Sequence, residues 1–66
     1  MYLLTRREQN LLNGKIRIVE NLSEDGGIFG EVSDEYGRVK LRKPLLNMAA
    51  ATRWFVDITA AIAILK

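Results

Sequence analysis

The 66-residue chain contains neither cysteine nor histidine, and these two absences exclude much of the chemistry that small proteins use. Without cysteine there are no disulfides and no thiolate metal sites. Without histidine the chain lacks the commonest remaining transition-metal ligand and the usual acid–base group near neutral pH. A serine or threonine nucleophile would also have no histidine base. We therefore predict a protein that is not an enzyme and that has no metal site and no cofactor.

Long apolar runs are absent as well. The apolar start of the chain is interrupted at once by Arg6 and Arg7, which does not match a signal peptide. No stretch approaches the roughly 20 apolar residues that a membrane span needs. We expect a cytoplasmic protein that has no membrane partner and no small-molecule substrate.

The short length predicts one small domain that covers residues 1–66. Domains of this size bury a modest core, and they usually gain stability from disulfides, a metal or a partner subunit. The composition excludes the first two, and the hydrophobic share of 48% is high enough for a core and a subunit interface. A partner chain is therefore expected.

Charge is unevenly distributed along the chain. The ten basic and eight acidic residues leave a net charge of only +2. All of the bases nevertheless lie outside residues 20–35. Six of the acids lie within this window, namely Glu20, Glu24, Asp25, Glu31, Asp34 and Glu35. Segregation of this kind produces local fields stronger than the net charge suggests.

The N-terminal segment carries the signals of a short helix. Thr5 and Glu8 have the spacing of a capping box, in which each side chain accepts a hydrogen bond from the backbone N–H of the other. Asn13 and Gly14 are a typical helix stop, because Gly14 adopts left-handed geometry without strain. A helix is predicted over about residues 5–13.

Alternating polarity then predicts three strands, over residues 15–22, 28–33 and 38–43. Short turns join them, so they should form an antiparallel meander. Within the third strand, Val39 and Leu41 are expected to face the core, and Pro44 to end the strand. Gly30 interrupts the second strand and indicates either a bulge or a close approach by another part of the chain.

From Asn47 to Leu65 the apolar residues change to helical spacing, and alanine is frequent. The alternative is that RWFVDIT and AAIAILK are strands, since their residues also favour sheets. The predicted fold class is α+β, with a short N-terminal helix, a three-stranded antiparallel meander and a long apolar C-terminal helix.

The predicted C-terminal helix has a second apolar stripe that the sheet cannot cover. A helix that is apolar on all sides must be covered on more than one side. The stripe predicts a homodimer or higher oligomer whose interface comprises Trp54, Ile58, Ala61 and Leu65. The alternative is that these residues pack on the N-terminal helix and complete the core of a monomer.

Basic residues alternate along two of the predicted strands, with one aromatic residue between them. Basic side chains neutralise phosphates, and an exposed aromatic ring can stack on a base. This pattern predicts a nucleic-acid-binding face of the sheet comprising Lys15, Arg17, Phe29, Arg38, Lys40 and Arg42.

Two alternatives to this prediction remain open. Alternating lysine and arginine also keeps a sheet face hydrated, and Glu20 and Glu31 can neutralise these bases across the strands. The chain can also be a protein-binding module, as an inhibitor, an adaptor or an assembly subunit. It would then use the acidic hairpin of residues 20–35 or the apolar C-terminal helix.

Overall fold

The structure is a computed structural model that describes residues 3–64 of the chain. Four strands are followed by one helix: β1 (Leu3–Leu11), β2 (Ile16–Ser23), β3 (Ile28–Asp34), β4 (Val39–Leu45) and α1 (Met48–Ala63). The strands form one antiparallel sheet in the order β1-β2-β3-β4. The antiparallel sheet is therefore confirmed, but the predicted count of three strands is wrong because β1 adds a fourth.

The predicted N-terminal helix is also wrong. β1 pairs with β2 from Leu3 opposite Ser23 to Leu11 opposite Ile16. Thr5, the expected helix cap, instead donates a hydrogen bond from Oγ1 to Asn21 Oδ1 at 2.8 Å. A capping interaction stabilises a helix by only about 1 kcal/mol. Pairing along the whole of β2 outweighs that local preference.

The residues that were expected to stop a helix form a hairpin turn instead. Leu12, Asn13 and Gly14 all have positive φ, at 53°, 58° and 84°. The Gly14 N–H donates to the Leu11 carbonyl at 3.1 Å. Left-handed geometry serves both a helix end and a tight turn, so the local signal does not distinguish the two.

The other three predicted strands are present, with one correction at β4. β4 includes Pro44 and ends at Leu45, because proline is tolerated in an edge strand that pairs on one side only. Val39 and Leu41 were expected in the core, yet they are 51% and 43% exposed. Within residues 3–64 no strand flanks β4 on its outer side, and a register shift at Val32 disturbs its pairing with β3.

The C-terminal segment is a helix, so the alternative of two strands is wrong. Asn47 caps α1, and its side chain accepts a hydrogen bond from the Ala50 N–H at 2.8 Å. The description of α1 as long and apolar is wrong as well, because it has 16 residues and carries Arg53 and Asp57 on its exposed surface. None of the helices in residues 3–64 could span a bilayer.

The core is small and is centred on β2, β3 and α1, with buried residues on both faces of the sheet. Its buried apolar residues are Ile18, Val19, Phe29, Ala51 and Ile62. Gly30 lies directly beneath the indole of Trp54, since a Cβ atom at Gly30 would be 2.3 Å from Trp54 Cζ3. Of the two roles proposed for this glycine, the structure shows the close approach.

Candidate functional site

A fully buried carboxylate connects the sheet to the helix. Glu20 is 0% exposed, and it forms an ion pair with Arg6 through Oε2. Its Oε1 lies 3.2 Å from Arg7 Nε without the alignment of a hydrogen bond. The two arginines also reach α1, where Arg7 donates to Thr52 Oγ1 at 2.8 Å and Arg6 lies 3.2 Å from Met48 Sδ. This cluster holds the helix against β1 and β2.

The sheet has a second face, turned away from α1. Gly30 faces Trp54, so its neighbours Phe29 and Glu31 point to the opposite side. The register places residues of the other strands beside them. We call this side the open face, and it comprises Glu8, Arg17, Val19, Asn21, Phe29, Glu31, Ser33 and Arg42.

Carboxylates lie beside three of the cations that were predicted to bind nucleic acid. Arg17 Nε donates to Glu8 Oε2 at 2.8 Å, and this hydrogen bond lowers the pKa of Glu8. Arg42 Nε lies 3.6 Å from Glu31 Oε2.

Lys40 Nζ lies 3.8 Å from Asp34 Oδ2, which makes the third pair. Within residues 3–64, Lys15 and Arg38 have no carboxylate within 4.0 Å. The Arg38 guanidinium lies 5.7 Å from the centre of the Tyr36 ring. The predicted cations are thus divided between paired and unpaired positions.

Phe29, the predicted stacking residue, already has a cation over its ring. The Arg42 guanidinium lies 4.2 Å from the ring centre, and Phe29 is only 8% exposed. A nucleic-acid base would have to displace Arg42 in order to stack there. The geometry therefore favours a role for Phe29 in the core and in holding Arg42.

The acidic hairpin of residues 20–35 is not a uniform acidic surface. Besides the buried Glu20, Asp25 and Asp34 stabilise turns of the backbone. The Asp25 carboxylate accepts hydrogen bonds from the Ser23 hydroxyl and from the Gly27 N–H, and both lower its pKa. Asp34 Oδ1 accepts from the Tyr36 N–H at 2.9 Å. Three of the acidic side chains of this hairpin therefore make ion pairs or hydrogen bonds within the protein.

On the helix side, a groove of about 820 Å³ lies between β4 and α1. We call it the β4–α1 groove. Its strand side comprises Leu41, Lys43, Pro44, Leu45 and Leu46, and its helix side comprises Ala50, Arg53, Trp54, Asp57, Ile58 and Ala61.

The groove brings together three of the four residues predicted for an oligomer interface. Trp54, Ile58 and Ala61 all lie on its helix side, whereas Leu65 lies outside the described residues. The sequence did not predict the strand side of the groove, because Leu41 was expected to lie in the core. Leu46, which also lines the groove, is 90% exposed.

The acidic side chains of the described residues are dispersed. Residues 3–64 contain no group of three or more aspartates and glutamates placed to hold an ion. The ion pairs described above instead join carboxylates to lysines and arginines. The β4–α1 groove and the cations of β4 are therefore the candidate contact surfaces of residues 3–64.

Comparisons of the chain with protein-family models, with curated proteins and with solved structures each find no match. A function for the chain is therefore inferred from its own side chains.

Proposed function

We propose that the protein is a non-catalytic protein-binding module whose contact surface is the β4–α1 groove. The observation that supports this function is the mismatch between the composition of α1 and its burial. Arg53 and Asp57 are the only charged residues of α1, yet only Ala51 and Ile62 are buried. A helix that faces water normally carries charged residues along its outer side. The uncovered apolar surface of α1 is typical of a contact site for another protein.

The groove has the layout of a protein interface. The apolar Trp54 and Ile58 line the groove and are partly buried, whereas the charged lining residues Lys43, Arg53 and Asp57 are exposed. Interfaces combine an apolar centre with a polar rim, and tryptophan is enriched at the positions that contribute most to binding.

Site-specific photo-crosslinking tests this function. The photoreactive residue p-benzoylphenylalanine would replace Leu46, which lines the groove and is 90% exposed. A matched control would carry the same residue in place of Tyr36, an aromatic at the β3–β4 turn that is 76% exposed. We expect protein adducts from position 46 and few from position 36. The adducts should survive nuclease and disappear with protease.

The same experiment has a clear contrary result. Equal adducts from both positions would mean that the groove is not a preferred contact surface. Adducts from position 46 that disappear with nuclease would mean that the groove faces nucleic acid. Either result would refute the proposed function.

Nucleic-acid binding is the second candidate, supported by the exposure of the cations on β4. The side chains of Lys40 and Arg42 are 63% and 60% exposed, and their ion pairs are long. Exposed ion pairs of this kind contribute about 0–1 kcal/mol, so phosphates could replace the carboxylates at little cost. The phosphate contacts would then come from Lys15, Arg17, Arg38, Lys40 and Arg42.

Fluorescence anisotropy with labelled single-stranded DNA and RNA tests this second candidate. Replacing Arg38, Lys40 and Arg42 by glutamate should abolish binding, and wild-type affinity should fall steeply with salt because bound cations release counterions. The Arg53→Glu variant serves as the control for charge reversal outside β4, and it changes the net charge by two, against six in the triple variant. Triple-variant binding equal to that of the wild type would exclude a role for β4.

A further inference from the structure

We propose that the occupant of the β4–α1 groove is α1 of a second copy of this chain, in an antiparallel two-fold pair. Arg53 of each copy then contacts Asp57 of the other. This inference rests on the proposed function, because it names the partner for the same groove.

The charges of α1 are free to reach another chain. The side chains of Arg53 and Asp57 are 84% and 69% exposed, and both residues line the groove. Within one chain their closest atoms, Nε and Oδ2, are 3.8 Å apart. Exposed pairs at this spacing on a helix contribute little to stability, because water screens the two charges. The intramolecular pair is therefore easily exchanged for one across an interface.

The positions of the two charges are self-complementary. In a two-fold interface, residue i of one copy contacts residue j of the other, and j contacts i. Arg53 and Asp57 lie at equal distances before and after Phe55. Two antiparallel helices related by an axis near Phe55 therefore place each arginine opposite an aspartate. A parallel pair in register would place like charges opposite one another.

The side chains around these charges permit close contact. Ala50 and Ala61 line the groove on either side of the charged pair, and Ala49 and Ala60 lie next to them in the sequence. Small side chains allow helix axes to approach towards the short end of the usual distance of about 8–10 Å. A second α1 in this position would cover the exposed apolar surface of Trp54 on each copy.

Pairing of two copies through the β4 edges is less favourable. Two antiparallel β4 strands related by an axis near Arg42 would place like charges close together, which is destabilising. Pro44 also lacks the N–H that an added strand requires. The second copy is therefore expected to dock through its helix.

Charge reversal provides the test, because the two single variants should complement each other. In Arg53→Asp, both positions are acidic, and in Asp57→Arg, both are basic, so each variant alone opposes like charges. We expect each to dimerise at least about tenfold more weakly than wild type. A one-to-one mixture restores both contacts as Asp–Arg pairs, and it should form a heterodimer. Sedimentation velocity measures association, and circular dichroism verifies that each variant is folded.

The possible outcomes separate this inference from the proposed function. Recovery of dimers only in the mixture would support the antiparallel pair. Single variants that associate like wild type, a mixture that stays monomeric, or a monomeric wild type at millimolar concentration would each overturn it. If position 46 still crosslinks to a different protein in those cases, protein binding survives without the second copy. The absence of protein adducts there would refute the proposed function itself.

Discussion

β2 and β4 are strands of similar length in one sheet, yet their surroundings are opposite. In β2 four consecutive residues, Ile18 to Asn21, are buried, so both of its faces are covered. In β4 every residue from Val39 to Pro44 is exposed. The fully buried Glu20 belongs to β2, whereas Leu41, which is 43% exposed, belongs to β4.

This contrast shows that position in the sheet, rather than polarity, decides burial in so small a protein. β2 has a strand on each side, and Arg6 and Arg7 neutralise its carboxylate. In the described part of the chain, β4 has a strand on one side only, and it borders the β4–α1 groove. The stability of the fold is therefore expected to depend on the centre of the sheet. Contact with other molecules is expected on the β4 side of the sheet.

The largest effect is expected at Gly30, where the sheet meets α1. Gly30→Ala would place a Cβ atom 2.3 Å from Trp54 Cζ3, so the indole would have to move. Overpacking of this kind destabilises by about 3 kcal/mol. Urea unfolding, followed by Trp54 fluorescence, measures the change.

Gly27→Ala is the matched control for this substitution. Its Cβ atom would lie 3.0 Å from Ser23 Oγ, at the end of β2 beside an exposed turn, and this hydroxyl can move aside. We expect a loss below about 1 kcal/mol. Equal losses at the two glycines would contradict the close packing described for Trp54.

An intermediate effect is expected when the carboxylate of β2 is made neutral. Glu20→Gln removes the charge that Arg6 and Arg7 share, and both arginines are only partly exposed. The expected loss of unfolding free energy is about 2 kcal/mol. Glu31→Gln, which removes the carboxylate paired with exposed Arg42, should cost less than about 0.5 kcal/mol. Similar losses for the two variants would show that β2 and β4 do not differ as described.

The smallest effect concerns the ion pair of Glu8 and Arg17 on the open face. The hydrogen bond from Arg17 lowers the pKa of Glu8. A lowered carboxyl pKa means that this pair stabilises the fold above the ordinary pKa of glutamate, and that the contribution is lost as the pH falls through the lowered value. Arg17→Met should return the pKa of Glu8 towards its ordinary value. An NMR titration of the Glu8 carboxyl in both proteins measures this, and an unchanged pKa would rule out the pair in solution.

Much of the sheet could be predicted from residue alternation, whereas β1 could not. In β2 and β3, apolar and polar residues alternate, and short turns that contain glycine flank the strands. The local pattern and the final structure therefore agree for these two strands. In β1, Thr5 and Glu8 match a helix cap, but their partners Asn21 and Arg17 are 16 and 9 residues away. Local spacing cannot reveal contacts at that separation.

Only part of the candidate site could be predicted, because local spacing shows contacts within one element and does not show contacts between distant segments. The helix side of the groove followed from the spacing of Trp54, Ile58 and Ala61 within one helix. The ion pairs of the open face depended on which residues lie opposite one another. Register shifts near Thr5 and Val32 change that pairing, and a sequence pattern does not show them.

The amino-acid sequence by itself determined the absence of cysteine and histidine chemistry, the turns that follow β2 and β3, the central strands and the helical spacing of the C-terminal apolar residues. These properties depend on residue type and on neighbours within a few positions. The tertiary structure decided that residues 3–11 form a strand, that Glu20 is buried while Leu41 is exposed, and that a groove lies beside α1. Those outcomes depend on which distant segments pack together, because burial is a property of the assembled sheet and helix.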